Sequence, residues 1–131
     1  MLKVIGGLAF LYAGVVSAGP SGERLAYLVG CINCHHQTPK EIINAPPLAI
    51  VQAYSLPEFK KLMKVGVTRV GRDMLAQSSI MGIVAKEQFS HFTDEEVAAV
   101  YNYLRTGWTA ERAAKEETKI PSLYKAEPEK K

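Results

Sequence analysis

The stretch Cys31-Ile32-Asn33-Cys34-His35 decides how the rest of the chain is read. Two thiols two residues apart, with a histidine directly after, form C-x-x-C-H, the attachment sequence for c-type haem. At this spacing both sulfurs reach the vinyl groups on one porphyrin edge, and the histidine falls under the plane, where its imidazole can bind iron. The cysteines have other readings. In an oxidising compartment they could close a disulfide, and a C-x-x-C pair also serves thioredoxin-like redox sites. The thioredoxin reading expects a βαβ setting, and no strand pattern surrounds residues 31–34. A structural zinc ion would want two further ligands at matching spacing. The chain has no third cysteine, and His36 and His91 form no such pair. One covalent haem c is therefore the expected cofactor.

Outward to the N-terminus, Lys3 is a small basic region and Val4 to Val16 is almost wholly apolar. Val16-Ser17-Ala18 then offers small residues ahead of Gly19-Pro20, so residues 1–18 read as a cleaved secretory signal peptide. A retained anchor is the alternative, but the run is shorter than the ~20 residues of a spanning helix. Either way the remainder lies outside the cytoplasm, and no later segment is long and apolar enough to span a membrane. The formal charge of +3 becomes +2 once Lys3 is removed. Two haem propionates would bring it near zero, so net charge makes no case for nucleic acid or bulk membrane as a partner.

Toward the C-terminus the pattern is helical, with long connections. Ser21 is a cap for a helix over about 22–32, with Leu25, Leu28, Val29 and Ile32 at helical spacing and the cysteines at its end. Pro39, Pro46 and Pro47 make 36–54 irregular. Ser55-Leu56-Pro57-Glu58 is a capping box, opening a helix with Leu56, Phe59, Leu62 and Met63 on one face and Gly66 as its stop. Thr93-Asp94-Glu95-Glu96 is a second box, followed by Val97, Val100, Tyr101, Leu104 and Trp108, with Gly107 ending the helix. Between Gly66 and Thr93 only a short helix over about 83–89 is expected, and a haem acting as part of the core would explain so much loop. Residues 19–108 form the expected domain. Residues 109–131, rich in Lys and Glu, read as a charged, solvated C-terminal tail in which Ile120, Leu123 and Tyr124 are the possible surface pins.

With these parts in order, the chain resembles a small monohaem class I cytochrome c from the bacterial periplasm, over residues 22–106. Gly66-Val67-Thr68-Arg69-Val70-Gly71-Arg72 is similar to the G-x-x-x-x-G-R element of cytochromes associated with periplasmic dehydrogenases. So is Phe92-Thr93-Asp94-Glu95-Glu96-Val97 followed by Tyr103-Leu104-Arg105. The resemblance implies an all-α class I cytochrome c fold, with about three to five helices wrapped around one covalently bound haem. It implies periplasmic electron transfer, as a carrier or as the cytochrome subunit of a dehydrogenase. The partners would be redox proteins, among them a dehydrogenase catalytic subunit, and the chain would have no catalytic residues of its own. It implies methionine as the second axial ligand: Met81, followed here by Gly82 where the family has proline, or Met74 as the alternative. It implies that a proline carbonyl, of Pro46 or else Pro47, accepts the other ring N–H of His35. Tyr27 and Tyr103 are its candidates for the contact between first and last helices, and Arg69 and Arg72 for pairing with propionates. Met63 reads as core, His36 as a solvated or propionate-side residue, and His91 as a surface histidine, with a sixth ligand in a bis-His site as its alternative. A haem sensor or peroxidase-like protein with an open sixth position is the competing function, and the two loop methionines count against it.

Overall fold

The computed structural model describes residues 19–35 and 45–119. The expected signal peptide, His36, Pro39 and the end of the tail lie outside them. Six α-helices are present: α1 Gly22–Leu28, α2 Cys31–Cys34, α3 Leu56–Val65, α4 Ile80–Glu87, α5 Asp94–Thr106 and α6 Ala110–Glu117. Two 3-10 segments, Leu48–Ala53 and Phe89–His91, join them. No sheet is found among the described residues, whose only strand-like feature is an isolated Val67–Asp73 bridge. The all-α expectation holds, with more and shorter helices than the three to five expected.

The capping signals act where the sequence places them. The Ser21 side chain accepts from the Arg24 amide at 3.2 Å. In the box before α3, the Ser55 amide donates to Glu58 Oε2 at 2.8 Å. In the box before α5, the Glu96 amide donates to Thr93 Oγ1 at 3.1 Å and the Thr93 amide to Glu96 Oε2 at 2.8 Å. Each pair satisfies amides that a helix start would otherwise leave open.

Three expectations need correction. The helix expected over 22–32 is two pieces, because Gly30 adopts φ 74, ψ 25, a left-handed conformation that ends α1 and lets α2 start on a new axis. The short helix of the loop begins at Ile80, three residues early. Its N-cap Ser79 makes no side-chain bond, and a glycine sits inside it. The solvated tail begins as a helix instead. Thr109 caps α6 by accepting from the Arg112 amide at 3.1 Å. Ala113 and Glu116 are buried, Arg112 pairs with Glu23 of α1, and its guanidinium lies 5.7 Å from the Tyr103 ring centroid.

The core centres on α5. Val97 and Val100 are fully buried and Leu104 almost so, against Ala26 of α1, Phe59 and Met63 of α3, and Leu48 and Val51 of the 3-10 segment. Trp108 falls just past the end of α5 but still packs on this core, edge-on to Tyr103 with ring centroids 6.4 Å apart. The crossing of α1 with α5 is close: a Cβ at Gly22 would stand 1.9 Å from the Ala99 carbonyl oxygen. Only glycine permits that approach.

Candidate functional site

α2 is a single turn, so Cys31 and Cys34, three apart, project from the same side of it. They are not bonded to each other. Cys31 packs against the core. Burial pushes its thiol up to about 11, helped by Cys34 and opposed by a backbone hydrogen bond. A thioredoxin-like nucleophile is a thiolate made accessible by a lowered pKa, and the shift at Cys31 runs the other way.

The His35 amide donates to the Cys31 carbonyl at 3.0 Å, which fixes the histidine at the end of the turn. Its Nδ1 stands 2.6 Å from the Pro46 carbonyl oxygen. A carbonyl can only accept, so Nδ1 carries the proton, and in the neutral ring Nε2 keeps the lone pair a metal requires. The Pro47 carbonyl is used differently: it accepts from the Ile50 amide at 3.0 Å and starts the 3-10 segment. Of the two prolines, Pro46 is the one at the histidine.

The stretch from Gly66 is more ordered than its sequence implies. The Thr68 amide donates to Arg72 O and the Gly71 amide to Thr68 O, both at 2.9 Å, making a tight turn with Arg69 and Val70 at its tip. Arg69 and Arg72 are exposed. Asp73 Oδ1 accepts from the amides of Leu75 and Ala76 at 2.9 Å. The chain then runs directly over α4, where a Cβ at Gly82 would lie 2.3 Å from Leu75 N and 2.4 Å from Met74 C. This explains the glycine after Met81: a larger residue would push the two segments apart. Met81, in the first turn of α4, is half-buried and packs on the core. Met74 is half-buried and lies on the adjoining backbone, so both candidate ligands come from one neighbourhood.

The donors fit a covalently attached haem: two thiols on one turn, an imidazole of fixed tautomer, and a thioether. The apolar surface fits as well. Leu28 beside the attachment turn and Ile80 beside Met81 are 68% and 59% exposed, and Ile50, Leu75 and Ile83 are exposed too. Both the histidine side and the methionine side thus carry apolar surface that the described polypeptide leaves uncovered. No three His, Cys, Asp or Glu side chains come together as a metal site among the described residues.

His91 ends a 3-10 segment at the surface. Tyr27 is partly exposed and lies beside Tyr103, whose hydroxyl is buried where α1, α5 and Arg112 meet. The sequence reading missed Arg105 and Tyr101 as a pair, described below, and the docking of α6. No described helix is long and apolar enough to cross a membrane. Comparison with protein-family models, curated proteins and solved structures finds no match for this chain.

Proposed function

We propose that this chain is a periplasmic monohaem c-type cytochrome. It would transfer single electrons between redox proteins, as a free carrier or as the electron-accepting subunit of a periplasmic dehydrogenase. Cys31 and Cys34 would hold the haem through thioethers, and His35 and Met81 would bind its iron. A haem bound there would supply a one-electron ferric–ferrous couple. The observation that carries the reading is the 2.6 Å contact of His35 Nδ1 with the Pro46 carbonyl, beside two thiols on one turn. That contact orients the imidazole and raises its basicity, as outer partners do for metal-binding histidines. The exposed apolar residues around Met81 and Leu28 exclude water from the group they would cover.

The test is the optical spectrum of the exported protein, oxidised and reduced, with and without carbon monoxide. A c-type reduced spectrum, a weak far-red sulfur-to-iron band and indifference to carbon monoxide are the expected result. A spectrum that shifts with carbon monoxide would replace the carrier by a sensor or peroxidase-like protein. A colourless protein would reject haem altogether.

A further inference from the structure

We infer that Tyr101 and Arg105, on α5, are positioning residues for His35, acting through the segment that connects Pro46 to Tyr54. This rests on the haem reading above. The near end of the segment presents the Pro46 carbonyl to His35 Nδ1 at 2.6 Å. The far end is held from α5. Tyr101 Oη donates to the Tyr54 carbonyl at 2.8 Å, and Arg105 Nη1 donates to the same oxygen at 3.3 Å and to Tyr101 Oη at 2.7 Å. The guanidinium also lies 5.4 Å from the Tyr101 ring centroid. Gln52 returns the tie, its Nε2 donating to the Arg105 carbonyl at 3.0 Å.

Between the two ends the segment is stiff. Pro46 and Pro47 fix their own φ angles. The Ile50 amide bonds to Pro47 O at 3.0 Å, and the Tyr54 amide to Val51 O at 3.1 Å. Leu48, Val51 and Tyr54 are buried. A short element with bonded turns and buried anchors moves as one piece, so release at Tyr54 displaces Pro46. Hydrogen-bond strength falls steeply with misalignment, and the His35 Nδ1 proton would feel a small displacement. A weaker bond makes the imidazole a poorer donor and favours the ferrous state.

The experiment compares Tyr101→Phe and Arg105→Gln with Thr93→Ala in the full-length exported protein. Thr93→Ala weakens the same helix at its cap, away from the clamp. Three readouts are taken: reduction potential, solvent exchange of the His35 Nδ1 proton by NMR, and thermal stability. The clamp variants are expected to shift the ferric–ferrous equilibrium toward ferrous by roughly threefold, about 28 mV at 59 mV per tenfold for one electron. Nδ1 proton exchange should accelerate at least as much. Thr93→Ala should melt earlier with neither change, and Arg105→Lys should recover part of the shift through its retained charge. Clamp variants that lose stability but keep both the potential and the exchange rate would overturn the inference and leave the haem reading standing. A wild-type protein without the haem spectrum would end both.

Discussion

Replacing Gly22 with alanine should separate α1 from α5. The new Cβ would sit 1.9 Å from the Ala99 carbonyl oxygen and 2.4 Å from its carbon, with the Tyr103 Cβ at 3.0 Å. Restoring ordinary contact of about 3.4 Å needs a displacement of about 1.5 Å, and the obstacle is backbone, which cannot rotate away. α1 brings the fully buried Ala26 to this interface, with Leu25 and Val29 packed beside it. Overpacking of this kind costs about 1–3 kcal/mol, and alanine returns only ~0.5–1 kcal/mol through its better backbone entropy. A net loss of about 1 kcal/mol corresponds to a melting temperature lower by about 4–8 °C for a domain of this size. Thermal melts followed by helical circular dichroism measure it. Gly19→Ala, with nothing within 4 Å of its Cβ, is the control. If Gly22→Ala melts within about 2 °C of wild type, the close crossing is not what holds α1.

Three other predictions concern separate parts of the molecule. Met81→Ala should abolish the far-red sulfur-to-iron band and admit carbon monoxide, while Met74→Ala keeps the band; the reverse pattern would move the ligand to Met74. Asp94 is held below the ordinary aspartate value of 3.8 by its hydrogen bond to Lys60, then by Lys64. A depressed carboxyl contributes stability above the unfolded value and loses it as pH falls through the folded one. Urea midpoints of Asp94→Asn should therefore fall less steeply in acid than those of wild type, and equal slopes would refute the linkage. Burial pushes the Tyr103 phenol from 10.0 up to about 12. Its contribution is fully present below the unfolded value and is lost as pH rises from about 10 to about 12. Tyr103→Phe should flatten the alkaline decline, and an unchanged decline would place it elsewhere.

Much of the fold was legible because helix signals are local. Ser55 with Glu58, and Thr93 with Glu96, announce two starts within four residues each, and the spacing of Val97, Val100, Tyr101 and Leu104 gives the buried face of α5 directly. α6 was hidden because its buried positions are Ala113 and Glu116 in a charged run, and only the approach of Glu23 and Tyr103 makes that face interior. α4 was misplaced because no side-chain cap marks its start at Ser79, and the glycine inside it serves the passage of Met74 and Leu75. The attachment residues were readable as a five-residue word. The Arg105–Tyr101–Tyr54 clamp was not, since it joins residues about fifty positions apart through a main-chain carbonyl.

The ties between α1 and the C-terminal helices also order events in time. Gly22 meets Ala99, and Glu23 meets Arg112 across 89 positions of chain. Contacts this distant in the chain form late in folding, so α1 has neither α5 nor α6 to pack on until both are in place. During that interval the turn of Cys31 to Cys34, which follows α1 directly, lies beside an undocked helix. Once α5 and α6 dock, Cys31 packs on the core while Cys34 and His35 stay half-buried. The topology thus sets a deadline for reaching the Cys31 thiol, and the deadline is the docking of α1 during folding.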